Sequence, residues 1–279
     1  MALIFCVVKI LKIIVLGGDE RQKYLTENLK KQGLNAEHIY NSNNLKDKIK
    51  SSDYIVLPLP STKDKITVFN SINDDKIYIS DLQEFITEQK VFTCKLMLEG
   101  KNCEDYSLNE TFAMKNAVPT AEGAIALAVL NSKKAIFHSK ALVIGNGRIG
   151  KILSNMLKNL GAFVTVSARR ESDLSLIEAF NMKKIKTSKI ADVAKEFDFI
   201  FNTVDFPVID TEFLKSVKKD ALIIELASHP GGIYGDKSIA KCEIVNGQGL
   251  PGKFSPITAA EILSETIINL IADDKGEIL

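Results

Sequence analysis

The sequence is poor in the residues that build metal sites. It has three histidines, His38, His138 and His229, and four cysteines, Cys6, Cys94, Cys103 and Cys242. No cysteines form a C-x-x-C pair, and none stands at zinc-ligand spacing from a histidine. No metal site is therefore expected, and the cysteines read as buried, reduced thiols of a cytoplasmic protein. An excess of charge is missing too: 36 basic residues face 35 acidic ones, a net charge of +1. A binder of phosphate backbones usually carries a basic stripe or surplus, so nucleic acid is not an expected partner. Long apolar runs are also absent. The start, MALIFCVVKILKIIVLGG, is apolar, but lysines at 9 and 12 interrupt it and no basic residue precedes it. A spanning helix needs about 20 apolar residues, and no small-residue cleavage site follows. Lys12 to Leu16 reads as a first buried strand and residues 1–11 as an extension, so no membrane is expected.

What is present is an ordinary globular composition over 279 residues, 46% hydrophobic and 25% charged, enough for one large or two medium domains. Two series of alternating strands and helices appear. The first has strands at 12–16, 36–40, 54–59, 76–80 and 91–97, with helices over 20–32 and 44–50. The second has strands at 141–144, 163–167, 197–203, 221–226 and 242–245, with a helix from Arg148 to Leu160 closed by Gly161. Between them PTAEGAIALAVLN, 119–131, is nearly uncharged and reads as a buried connecting helix. A last helix is expected from about Thr258 to Ala272. The alternation implies α/β architecture with parallel sheets: an N-terminal domain over 1–118, a nucleotide-binding Rossmann domain over 119–257, and a C-terminal helix over about 258–279 that packs back on the first domain.

The stretch KALVIGNGRIG carries the clearest motif. A strand stops at Gly145, Gly147 and Gly150, spaced G-x-G-x-x-G, and a helix opens. Gly145 permits the tight turn, Gly147 lets backbone approach a pyrophosphate, and Gly150 lets helix and strand pack closely. The helix N-terminus offers N–H groups and a positive dipole end. Asn146, Arg148 and Ile149 lie in the same loop. The alternative is a strand–turn–helix that merely needs glycines. At the end of the next strand, where an NAD enzyme usually has Asp or Glu, the chain has Ser167-Ala168-Arg169-Arg170. A guanidinium can pair with a 2′-phosphate, so NADP is expected rather than NAD, unless these arginines are only solvated. Asn202, Thr203 and Val204, then Ala227 and Ser228, then Gly249, Leu250 and Pro251 stand at three further strand ends. Ligands lie outside the carboxyl ends of parallel strands, and these small residues suit backbone passing close to a flat ring.

Taken together, GGDERQ (17–22), LPLPST (57–62), AVPTAEGAIALAV (117–129), GNGRIG (145–150), SARR, FNTV (201–204), ELASHPGG (225–232) and GLPGKFSPITAAEIL (249–263) make the chain similar to the family of the dipicolinate synthase A subunit. The resemblance covers nearly the whole chain. It implies two Rossmann-like domains with parallel sheets, like those of D-2-hydroxyacid and alanine dehydrogenases, joined by long helices. It also implies oxidation of dihydrodipicolinate, or of a hydroxylated tetrahydro precursor after water loss, to the pyridine dicarboxylate with hydride transfer to NADP. The flavoprotein-like B subunit of dipicolinate synthase as partner, a homo-oligomer, and the mother-cell cytoplasm of a sporulating bacterium follow from the same resemblance.

A ring with two carboxylates needs cations or N–H donors, a flat slot and a base. The resemblance places Arg21 on one carboxylate; on spacing alone it would equally be a surface arginine. Ser61 and Thr62 would add donors, or cap a helix. Thr120 and Glu122 start the connecting helix: Glu122 would orient Arg21 or act as base, or the pair would only cap. His229 has a side chain suited to proton transfer near neutral pH. Lys253 would take the second carboxylate or help close the cleft. Two other readings stand beside this one: a different NADP-dependent dehydrogenase of a small carboxylic acid, and a non-catalytic nucleotide-binding subunit.

Overall fold

The computed structural model describes residues 11–276, so the extension expected over 1–11 lies, apart from Leu11, outside the described residues. In chain order the elements are β1 (Lys12–Leu16), α1 (Glu20–Lys31), β2 (Asn35–Ile39), α2 (Leu45–Lys50), β3 (Tyr54–Val56), α3 (Ile79–Phe85), β4 (Lys90–Thr93), β5 (Cys103–Asp105) and α4 (Glu110–Asn131). There follow β6 (Lys140–Ile144), α5 (Arg148–Asn159), β7 (Phe163–Ala168), α6 (Glu171–Ala179), β8 (Lys183–Lys186), α7 (Ile190–Val193) and β9 (Phe199–Asn202). The chain ends through α8 (Thr211–Ser216), β10 (Leu222–Glu225), β11 (Glu243–Asn246), α9 (Leu250–Phe254) and α10 (Pro256–Lys275). Two compact units result, one of residues up to Ala113 plus Pro256 onward, the other Met114–Ser255. Among the described residues no helix is long and apolar enough to cross a membrane.

The first unit is a five-stranded parallel sheet in the order β2-β1-β3-β4-β5. From Ile13 to Leu16 β1 is apolar because it is covered on both faces. Ile13 and Val15 join Leu25 and Leu29 of α1 with Leu263, Ile267 and Leu270 of α10. Ile14 and Leu16, pointing the other way, join Leu45 and Ile49 of α2 and Leu82 of α3. Each such fully buried side chain is worth about 1.5–3 kcal/mol relative to exposure. Helix α1 starts from a capping box: Asp19 accepts from the Arg21 N–H, and the Gln22 side chain accepts from the Asp19 N–H.

The second unit has six parallel strands in the order β11-β10-β9-β6-β7-β8. Read from β6 outward, this is the doubly wound dinucleotide-binding order, with its reversal between β6 and β9. Ala141 and Val143 pack with Leu153 and Leu157 of α5 and with Ala121, Ala124 and Leu127 of α4. Leu142 and Ile144 face Ile190 of α7 and Phe213 and Leu214 of α8.

Several expected elements differ. The segment KIYIS is not a strand: after an antiparallel bridge from Thr67 to Tyr78 it turns into α3. Its alternation arises because Ile77 is buried while Tyr78 is exposed. Strands expected over 54–59 and 91–97 stop at Val56 and Thr93. The connecting helix starts at Glu110, with Asn109 Oδ1 accepting from the Phe112 N–H, and Pro119 lies inside it. It is also not buried all round, since Val129 and Leu130 are exposed.

Candidate functional site

The reversal point of the second unit is built by the loops after β6 and β9. Gly145 has φ +102°, and a Cβ there would lie 2.6 Å from Thr203 Oγ1. Only glycine meets both demands. A Cβ on Gly150 would overlap the Gly145 carbonyl oxygen, so α5 can start this close to β6 only with glycine there. Gly147 differs: it caps α5 with an ordinary φ of −78°, and nothing lies within 4 Å of a Cβ built on it. Fold requires the first and third glycines. The open space at the second is the space a phosphate backbone contact would use. Asn146 Nδ2, beside it, is buried without a hydrogen-bond partner, although the amide is near enough to Asp173 to help lower that carboxyl's pKa, chiefly set by the Arg170 hydrogen bond. An orphaned donor and an uncovered helix N-terminus together fit an anionic group. Arg148 and Ile149 form the first turn of α5.

At the end of β7, Ser167 is buried within hydrogen-bonding distance of Thr187 Oγ1, at 3.3 Å, and Ala168 is buried. Arg169 and Arg170 are exposed. Arg170 Nε donates to Asp173 Oδ2 at 2.8 Å, whereas Arg169 engages no carboxylate among the described residues.

Beyond β9 and β10 the structure holds a network that the sequence motifs do not announce. Glu225, nearly buried at the end of β10, accepts from Asn202 Nδ2 at 2.7 Å and from the backbone N–H groups of Ala227 and Gly232, each at 3.1 Å. Burial pushes its carboxyl pKa up, while those N–H donors pull the other way. Asn202 also donates to the Val204 carbonyl, and Thr203 Oγ1 to the Ile144 carbonyl. These bonds tie the loop after β9 to the 226–232 loop. They leave Ser228 and His229 exposed on it, with Ala227 buried beneath. Gly249, at φ +71°, caps α9, whose Leu250 and Pro251 are buried. Lys253 Nζ lies over the Phe254 ring, 5.2 Å from its centroid, and engages no carboxylate among the described residues.

The first unit has its own reversal point, between β1 and β3. Arg21, 3% exposed, stands there. Its Nε and Nη2 donate to the two Asp19 oxygens at 2.8 and 2.7 Å, and Nη2 also donates to the Leu59 carbonyl at 2.6 Å. Arg21 is thus no surface arginine. The carboxylate that orients it is Asp19, so the orienting role expected of Glu122 is corrected: Glu122 is exposed and makes no hydrogen bond among the described residues. Thr120 does not cap a helix start; its hydroxyl donates to the Asn116 carbonyl inside α4. Ser61 is fully buried, donating to the Pro58 carbonyl and accepting from the Cys94 N–H. Its one hydroxyl hydrogen is taken, so it shapes the loop rather than offering a donor. Thr62 closes a turn with Asp64 and the Lys65 N–H, and no helix follows to be capped. The signals for the missed residues were local: D-x-x-Q after a glycine turn is a capping box, and a carboxylate ending the apolar run LIIE is out of place in a core strand.

Comparison with known proteins agrees with this geometry. Residues 12–97 match the N-terminal domain of the dipicolinate synthase A subunit, and residues 116–275 match the alanine dehydrogenase/PNT C-terminal domain. The A subunit of dipicolinate synthase from Bacillus subtilis strain 168 is 27% identical over 292 aligned residues, covering 96% of this chain and 98% of that protein. The crystal structure of the A chain of dipicolinate synthase from Bacillus subtilis superposes with a TM-score of 0.82 at 25% identity, covering 96% and 98% of the two chains. A transhydrogenase from Sinorhizobium meliloti shares the fold, with a TM-score of 0.66 at 14% identity over 92% and 93%. The chain belongs to the alanine dehydrogenase/PNT C-terminal domain family, with the N-terminal domain of a dipicolinate synthase A subunit ahead of that dehydrogenase-type fold.

Proposed function

We propose that this chain is the dehydrogenase subunit of a dipicolinate synthase. It would oxidise dihydrodipicolinate, or the hydroxylated tetrahydro precursor after water loss, to pyridine-2,6-dicarboxylate. The observation that carries this reading is the content of the two reversal points. One presents a glycine loop with an orphaned donor, Asn146, and the other presents a buried, carboxylate-oriented arginine, Arg21. The 27% identity to the Bacillus subtilis protein over nearly both full lengths supports the substrate class.

The dihydro ring loses one hydride and one proton, and the ring becomes aromatic. NADP, when bound, accepts the hydride. The 145–150 loop would hold its pyrophosphate, and Arg169, exposed and with no carboxylate partner among the described residues, would take the 2′-phosphate. Arg170 is already committed to Asp173. Asn202, Thr203, Val204, Ala227 and Ser228, with Gly249, Leu250 and Pro251, would border the nicotinamide end. The Asn202–Glu225 network fixes the loops that carry several of them. Arg21 would hold a substrate carboxylate, and Lys253 the second. Because aromatisation drives the oxidation, orientation matters more than a strongly tuned base. An exposed His229 can take the ring proton and return it to water, with Glu122 as the alternative acceptor. The flavoprotein-like B subunit of the synthase is the proposed partner, in a homo-oligomeric assembly acting in the mother cell during sporulation.

Titration of the purified chain with NADP and with NAD tests the cofactor half of this reading. Tighter binding of NADP supports it. Equal affinity for both would leave the fold and remove the 2′-phosphate site.

A further inference from the structure

The capping box of α1 leaves one group unexplained. Gln22 is 0% exposed, and its Oε1 accepts from the Asp19 N–H at 2.8 Å, which fixes which end of the amide is oxygen. That bond accounts for the acceptor. It leaves Nε2, sealed from solvent, with no hydrogen-bond partner. A capping glutamine normally turns its amide nitrogen to water, and buried donors without a partner are rare because each forfeits its hydration. Next to it in sequence, Arg21 spends Nε and Nη2 on Asp19 and Leu59, while Nη1 makes no hydrogen bond among the described residues. Unused donors on consecutive residues thus sit in the first turn of a 12-residue helix, at the positive end of its dipole and at the reversal point of a parallel sheet. Their surroundings prevent them from turning away. A Cβ on Gly18 would overlap the Gln22 amide, so the side chain lies directly against the glycine turn. Asp19 clamps the guanidinium from the other side.

We infer that Gln22 is a substrate-binding residue: its Nε2 donates to the same carboxylate that Arg21 holds, making a two-residue clamp for one carboxylate of the ring. This rests on the reading of Arg21 given above and adds a neutral donor to it. The clamp suits a carboxylate. Asp19 already balances the Arg21 charge, so what the site adds is directed N–H bonds and a helix dipole, which suit one planar carboxylate group of the ring.

The test is equilibrium binding of pyridine-2,6-dicarboxylate to the full chain saturated with NADP, for wild type, Gln22→Glu, Gln22→Met and Arg21→Lys, with thermal melting of each. Glutamate keeps the oxygen that caps Asp19 but buries a carboxylate in place of the donor, so Gln22→Glu should melt lower than wild type and, where folded, bind about 30- to 100-fold more weakly. Gln22→Met removes donor and cap together. It should bind about tenfold more weakly and melt lower, and it decides the matter if the glutamate variant does not fold. Dicarboxylate affinity within about twofold of wild type in a folded Gln22 variant, with Arg21→Lys weakened, would overturn the role of Gln22 and leave that of Arg21 standing. Wild-type affinity in Arg21→Lys, or no binding by wild type, would overturn the carboxylate site itself and this inference with it.

Discussion

Asn202 Nδ2 stands 2.7 Å from Glu225 Oε1, joining the ends of the neighbouring strands β9 and β10 beneath the loop that carries Ser228 and His229. The carboxylate also receives the Ala227 and Gly232 N–H groups, so one buried anion organises three stretches of backbone. Burial raises the Glu225 pKa. A raised folded-state value means that the carboxyl favours folding most when protonated, below the ordinary 4.5, and that this contribution is lost as pH rises through the folded value. Asn202→Asp would set a second carboxylate against it. We expect a loss of about 2–4 kcal/mol at neutral pH, partly recovered on acidification to about pH 5 as one carboxyl takes up a proton. Urea melts at the two pH values check this; an equal loss at both would contradict it.

The glycine loop gives a paired expectation. Gly150→Ala drives a methyl group into the Gly145 carbonyl and should destabilise the second unit by several kcal/mol, or prevent its folding. Gly147→Ala meets nothing within 4 Å and has an ordinary φ, so it should melt like wild type. Nucleotide affinity of Gly147→Ala should nevertheless fall by at least about tenfold, because the methyl occupies space the pyrophosphate needs. Melting and fluorescence titration of both variants separate fold from binding.

The two arginines after β7 should differ. Arg169→Ala should weaken NADP binding about 10- to 100-fold and leave NAD nearly unchanged, since a charge-assisted bidentate contact is lost. Arg170→Ala should act weakly on either nucleotide, because its guanidinium is exposed and already paired with Asp173. Isothermal titration with both nucleotides reads this out; equal losses of NADP and NAD would sink the assignment of Arg169.

Asp198 supplies a pH expectation independent of any ligand. Burial opposes its ionisation, yet the Lys134 and Lys218 ammonium groups, each at 2.7 Å, and the Lys140 N–H hold its pKa down to about 2. A depressed value stabilises the fold fully above the ordinary 3.8, and that stabilisation is lost as pH falls from there through about 2. Asp198→Asn should cost about 1–2 kcal/mol at neutral pH and flatten the acid limb of the stability curve. Denaturant melts between neutral pH and pH 3 test this.

The interior strands β1 and β6 were legible because burial on both faces leaves uninterrupted apolar runs, IIVL and ALVI. Of the edge strands, β2 and β11 were legible and β5 and β8 were not. β8 is KKIK and β5 is CED; charge on an edge strand blunts pairing with other chains and erases the apolar signal together. The glycine fingerprint was readable because its three positions answer to backbone geometry and open space. Hydroxyls and carboxylates were harder. Ser61 and Glu122 read as site residues from their motifs, but only the folded chain shows that Ser61 has given its hydrogen to Pro58 and that Glu122 lies on an exposed helix face. Asp19 and Gln22 stood in plain view as a capping box. What the pattern does not convey is that Gln22 and Arg21 are buried there, which turns an ordinary cap into an arginine holder with a donor left over.

Hydride transfer from a dihydropyridine dicarboxylate to the nucleotide is the central claim. The most direct measurement mixes the chain, alone and with its partner protein, with dihydrodipicolinate and NADP and follows reduced nicotinamide and pyridine dicarboxylate together. We expect the two products in equal amounts. A nucleotide-loaded chain that forms neither under both conditions, or pyridine dicarboxylate formed without reduced nicotinamide, would contradict it.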